Sequence, residues 1–237
     1  MVIYNYMDIG RDEWMSIGYT YVSEEECPIC CYSMPVTKLR SRMIKIKQDS
    51  DFCAYYKDFN PYYYTIWICP HCGYASDTNH FKDIKEREKD RVAEFLMARQ
   101  IRIPHTEFRT REQAITAFKL AIYIADLAKA PASRMAGLYL KLAWLYREAE
   151  DKENENQLLE LAVKAYDRAL ITERFPIGSL TDNAVIYLIG DLHRRLGEIE
   201  KATQYLSRII GDKTARSEYK IYKLARDVWQ DMRDEKG

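Results

Sequence analysis

Two cysteine knuckles constrain this chain more than any other feature. Cys27-Pro-Ile-Cys30 and Cys69-Pro-His-Cys72 are separated by 38 residues. A C-x-x-C turn presents two thiolates from one tight bend, and zinc takes four soft ligands in a tetrahedron. The two pairs together predict one zinc per chain, held by Cys27, Cys30, Cys69 and Cys72. Four thiolates leave no open position for water or substrate, so this zinc is expected to be structural. The gap is longer than in an ordinary ribbon, and strand-like runs at 36–47 and 60–69 fill it. The expectation is a zinc-ribbon-like β module with an enlarged hairpin.

Cys-Pro-His-Cys also has the spacing of a thioredoxin-like dithiol, and a CxxC redox protein is the alternative. Such a site opens a long helix in a βαβ frame. Here Gly73 follows Cys72, and the next stretch reads as loop. Cys31 stands where a knuckle often has Gly, and Cys53 reads as a buried small hydrophobe. His71 should point outward from its knuckle, and His80 should sit near a helix cap. None of these four is expected to ligate metal.

All six cysteines lie between Cys27 and Cys72. The opening residues 1–14 lack a basic stretch followed by an apolar run, so no export signal is expected. Clustered thiols in such a chain favour metal over disulfides, and a cytoplasmic location follows. No run approaches 18 apolar residues, so no membrane partner is expected. Charged residues make up 30% of the chain yet the formal net charge is zero, so composition demands neither nucleic acid nor an anionic surface.

Beyond residue 80 the texture changes to Ala, Leu, Lys, Glu and Arg. Helices are expected near 82–100, 109–129, 132–150, 152–174, 179–196, 198–211 and 215–234, joined by short links. The order Ile189-Gly190, His193, Gly197, Ala202, Leu206 resembles the 34-residue tetratricopeptide repeat, phased from Asn183. A degenerate copy runs through Leu142-Ala143, Tyr146, Ala162, Tyr166 and Ala169. Small residues let paired helices approach closely while large apolar ones fill the remainder. The first helix of each such pair lines a groove. That phasing puts Leu140, Trp144 and Arg147 on one helix and Tyr187, Asp191 and Arg194 on another. Aromatic and arginine side chains are favoured at binding hot spots, so a protein or peptide is the expected partner. Packing of Trp144 and Tyr187 between helices is the competing reading, and burial decides it.

Lys38, Arg40, Arg42, Lys45 and Lys47 lie close in sequence to Tyr55, Tyr56, Tyr62, Tyr63 and Tyr64. Charge with stacking rings is how single strands are held, so a nucleic-acid-binding ribbon is a second reading. Acidic Glu24, Glu25, Glu26, Asp49 and Asp51 flank the basic run and weaken its field. No phosphate loop, dinucleotide fingerprint, zincin or nucleophile-elbow motif is present. Asp49, Asp51 and Cys53 form a carboxylate–thiol set without a supporting histidine. An enzyme working in a cleft between head and body is the remaining alternative.

The runs Cys27-Pro-Ile-Cys30, RMIKIKQDSDFCAYYKDFNPYYYTIWICPHCGYA and the helical tail together resemble the bacterial domain-of-unknown-function family 2225, from about residue 20 to the C-terminus. That resemblance implies a cytoplasmic protein with paired CxxC motifs and a tetratricopeptide-like tail, and no stated activity. The fold expected is α+β but mostly α. It has a zinc-ribbon-like module over 1–80, followed by an antiparallel helical-repeat body over 81–237. Its role would be that of a zinc-stabilised protein-interaction scaffold.

Overall fold

The computed structural model describes residues 18–99 and 102–234. The expectation made for residues 1–14 lies outside them. Six short strands come first: β1 (Thr20–Glu26), β2 (Ser33–Leu39), β3 (Lys45–Gln48), β4 (Ala54–Tyr56), β5 (Ile66–Ile68) and β6 (Ala75–Asp77). Seven α-helices follow among the described residues: α1 (Glu86–Arg99), α2 (Arg111–Leu127), α3 (Ala132–Glu148), α4 (Lys152–Thr172), α5 (Asp182–Arg195), α6 (Ile199–Gly211) and α7 (Tyr219–Asp234). The helical spans match the punctuation of the sequence to within a turn or so. Thr110, Asp151 and Thr181 accept from the backbone N–H groups of Gln113, Asn154 and Ala184, which fixes three of the starts.

The strands do not form one ribbon. They make three separate two-stranded sheets, β1-β2, β3-β4 and β5-β6. The expected strand at 36–47 is split, because β2 ends at Leu39 and the chain turns away before β3. The expected strand at 60–69 is also split. Asn60 accepts from the Tyr62 N–H at 2.9 Å and Pro61 follows it, so Pro61–Tyr64 curls into a 3-10 turn ahead of β5.

The chain folds as two compact units, and the division falls away from residue 80. The first comprises the described residues up to Lys47 together with those of 54–129, and the second Gln48–Cys53 together with the described residues from Ala130 onward. In the first unit, α2 packs against β5, β6 and the 3-10 turn, and α1 packs on α2. Buried Ala117, Phe118, Ala121 and Ile124 on α2, with Ile66, Tyr74 and Phe81, supply the apolar filling that holds two helices in this unit. Arg109, just ahead of α2, donates to the carbonyls of Tyr63 and Ile66, and its backbone N–H donates to the Tyr64 hydroxyl.

In the second unit α4 packs on α3, α6 on α5, and α7 on α6. The α5–α6 crossing is close because Gly190 has no side chain. A Cβ there would lie 3.0 Å from Cγ and Cδ2 of Leu206 and 3.3 Å from Cβ of Tyr205. Leu206 is fully buried and has little room to move. Gly137, in α3, would meet nothing within 4 Å. These two glycines therefore answer the same substitution oppositely. Gly137→Ala should raise the urea midpoint by the helix-propensity gain, about 0.5–1 kcal/mol. Gly190→Ala should lower it, because overpacking costs about 1–3 kcal/mol and outweighs that gain.

Candidate functional site

Each cysteine knuckle is the turn of its own hairpin. Glu26 pairs with Ser33 below the first, and Ile68 with Ala75 below the second. The two turns share one hydrogen-bond pattern. The Cys27 N–H donates to the Tyr32 carbonyl and the Cys31 N–H to the Cys27 carbonyl, both at 3.0 Å. In the second knuckle the Cys69 N–H donates to the Tyr74 carbonyl and the Gly73 N–H to the Cys69 carbonyl, both at 2.8 Å. The equivalent positions Cys31 and Gly73 are left-handed, with φ of 56° and 80°. Glycine meets that conformation at no cost, whereas Cys31 carries strain there.

The four sulfurs of Cys27, Cys30, Cys69 and Cys72 lie within 4.8 Å of one another. Cys27 to Cys72 and Cys30 to Cys69 are each 3.7 Å. Thiolates bound about 2.3 Å from a common zinc in a tetrahedron stand about 3.8 Å apart, so the cluster has the size of a metal site. All six cysteines are free. Without a cation the cluster holds its protons unevenly. Hydrogen bonds from Cys27, then Cys72, keep Cys69 strongly on the thiolate side. Cys27 is pushed up to about 12, first by its bond to Cys69, and Cys72 is raised, first by Cys27. A divalent ion relieves this crowding of negative charge, and its uptake must release protons.

Neither Cys31 nor Cys53 joins the cluster: the first is exposed and the second buried. His71 points outward and stacks on Tyr32 with ring centroids 5.2 Å apart. His80 lies in a 3-10 turn and meets Asp77 at 2.6 Å. Cys69 and Cys72 lead into β6, not into a helix, so the helix N-terminus that activates a thioredoxin-like thiol is missing at this knuckle.

The basic run of the first unit is engaged within it. Lys38 pairs with Glu25 at 2.7 Å and lies over the Trp67 ring. Arg40 lies over Tyr21, and Lys47 over Tyr55.

The six residues assigned to a peptide groove have a different outcome. Leu140, Trp144, Tyr187 and Asp191 are buried, with Trp144 8% and Tyr187 0% exposed. By the burial criterion, Trp144 and Tyr187 are not open groove walls. Five of the six are brought together on one segment of the same unit, the hairpin tip between β3 and β4. Arg147 donates to Asp51 Oδ2 at 2.6 Å and Oδ1 at 3.2 Å, and to Asp49 at 3.2 Å. Its Nε donates to Glu155 at 2.7 Å. Trp144 Nε1 donates to Asp51 Oδ2 at 3.0 Å. The Ser50 hydroxyl donates to Asp191 at 2.8 Å and accepts from Arg194 at 3.1 Å and Arg195 at 2.9 Å. Tyr187 donates to the Ser50 carbonyl at 2.9 Å, and Phe52 packs on its ring. Leu140 is buried without a polar role.

Burial disfavours charge on Arg147, but its hydrogen bonds to Asp51 and Glu155 outweigh it and raise its pKa. Burial likewise raises the Tyr187 phenol, so it remains a donor. Sequence reasoning missed Arg195, Glu155 and the role of Ser50. It placed Asp49, Asp51 and Cys53 together, but as a chemical set. The available signal was Phe52. A three-residue hairpin turn usually ends in a left-handed glycine, and Phe52 occupies such a position at φ 68°.

The chain matches a family model over most of its length. It belongs to the bacterial family described as "Uncharacterized protein conserved in bacteria (DUF2225)", which matches residues 20–232. Both knuckles, the β3–β4 tip and all seven described helices lie within or begin inside that span. No curated protein and no solved structure matches the chain.

Freshly purified, reduced protein should carry one zinc by elemental analysis. Cys69→Ser should remove most of it, whereas Cys53→Ser should keep it. Cys31→Gly should also keep zinc and should raise stability by about 1 kcal/mol, by releasing left-handed strain. Arg147→Glu should destabilise the chain by at least about 3 kcal/mol, because it sets a carboxylate against Asp49, Asp51 and Glu155. Arg194→Glu, whose side chain is 28% exposed, should cost clearly less in the same urea titration.

Proposed function

We propose that this protein is a zinc-stabilised protein-interaction scaffold, with a four-cysteine head and a tetratricopeptide-like helical body. In this reading Cys27, Cys30, Cys69 and Cys72 hold one structural zinc, and α3 and α5 line the interaction face. The observation that carries it is the convergence of Trp144, Arg147, Tyr187, Asp191 and Arg194 on a peptide segment. Five side chains from two helices, α3 and α5, meet one hairpin turn. The close α5–α6 approach at Gly190 supports the repeat assignment, since a small residue at a helix crossing is its steric signature.

No helix of the described residues is long and apolar enough to cross a membrane. The reading places the chain in the cytoplasm, a reducing compartment where thiolate ligands persist. Zinc here fixes the shape of the head and performs no chemistry, since all four coordination positions belong to cysteine.

In-cell photo-cross-linking tests the reading. Lys152 is exposed and accepts a photo-reactive residue at the loss of its ion pair with Glu155, which Arg147 still holds. A discrete heteromeric product is expected there, and a much weaker one from exposed Met97 on α1. Products limited to the free chain, or equal from both positions, would contradict a scaffold acting through the helical face.

A further inference from the structure

We propose that the α3–α5 face is a receptor for acidic Asp-Ser-Asp-aromatic segments, that the β3–β4 tip occupies it as an internal ligand, and that a partner protein's acidic segment displaces that tip. The inference rests on the scaffold reading and names the partner class of the same face.

The face reads the carboxylate, hydroxyl, backbone and ring of the tip. Arg147 grips the Asp51 carboxylate with two nitrogens, and Trp144 adds a third donor. Asp191, Arg194 and Arg195 surround the Ser50 hydroxyl. Tyr187 reads the main-chain carbonyl and offers its ring to Phe52. Carboxylate, hydroxyl, backbone and aromatic contacts in register are the marks of peptide recognition, and bidentate arginine is the strongest of them.

The helices bring three guanidiniums, Arg147, Arg194 and Arg195, against two carboxylates of their own, Glu155 and Asp191. Asp49 and Asp51 of the tip supply the remaining anionic partners. Without the tip the face is cationic and partly desolvated, which selects acidic segments.

The tip is shaped by the face and not by its own turn. Phe52 holds a left-handed backbone in which glycine would be relaxed. Its ring packs with the cluster of Tyr187, Leu206 and Val228, and that contact is what a glycine would lose. Phe52→Gly therefore weakens docking while leaving the hairpin geometry intact. An internal ligand has a high effective concentration, so an external peptide competes only when the tip is weakened or the partner is better.

The test uses the full, zinc-loaded chain and a fluorescein-labelled peptide copying residues 45–56, with Ser for Cys53. Anisotropy should show little binding to the unaltered chain. Binding to the Phe52→Gly chain should be at least tenfold tighter. It should fall at least tenfold when the peptide carries Asn for both aspartates, or when Arg194→Glu is added to the chain. A folded Phe52→Gly chain, judged by circular dichroism, that ignores the peptide would overturn the proposal. So would equal binding of the Asn peptide, exchange of tips into a dimer, or loss of the helical fold on Phe52→Gly, since each makes the tip a fixed wall or a self-association element. The milder Asp49→Asn chain, which keeps Asp51, must show the same gain in a smaller amount. Cross-linking at Lys152 that persists while the peptide fails would sink only this proposal. Peptide binding without any cross-linked partner would sink only the scaffold reading.

Discussion

The second unit depends on one buried carboxylate. Asp51 is fully excluded from water, where an unpaired charge is far more costly than any single apolar contact is favourable. It is tolerated because Arg147, Trp144 and Arg195 all face it. Those partners come from α3 and α5, so the path of residues 48–53 across these helices is set by hydrogen-bond geometry. A hydrophobic contact would tolerate sliding of the tip along the helices. A bidentate guanidinium does not, and it fixes one register. Buried ion pairs contribute little net stability against an apolar replacement, so what this pair contributes is position.

The first unit has a parallel constraint in its four thiols. Two hairpins that share no strand are brought to one point by Cys27, Cys30, Cys69 and Cys72. Small sheets of two strands bury too little to be stable alone. A divalent ion held by these four thiols would cross-link the two hairpins, a contribution of about 10–16 kcal/mol apparent binding energy for structural zinc at neutral pH, and α2 supplies the apolar surface.

Much of this was legible in the residues themselves. Ligand identity follows from C-x-x-C chemistry, and helix positions follow from Pro, Gly and Ser/Thr/Asp punctuation. Five residues of the expected groove, Trp144, Arg147, Tyr187, Asp191 and Arg194, converge on one segment of their own unit. What the pattern could not convey was occupancy. A periodic aromatic and arginine stripe looks the same whether it faces solvent or a segment 93 residues earlier in the chain. The unit boundary was hidden for the same reason. Helices α1 and α2 look like the other five by composition, yet Phe118 and Arg109 commit α2 to the strands. The failed ribbon came from reading 36–47 and 60–69 as single strands. Charge alternates at Lys38, Arg40 and Arg42 but changes parity before Lys45 and Lys47, which is where the chain leaves β2 for β3, and Asn60-Pro61 is a turn signal placed inside an aromatic run.

The most direct measurement is a double-mutant cycle between Asp51 and Arg147, read from urea denaturation followed by far-ultraviolet circular dichroism. Asp51→Asn and Arg147→Met should each be destabilising by about 3–5 kcal/mol, since each leaves an uncompensated buried group. The double variant should be little worse than either single one, which corresponds to a coupling of about 3 kcal/mol. Additive losses would mean that the two residues do not meet, and that the helical face does not hold the tip.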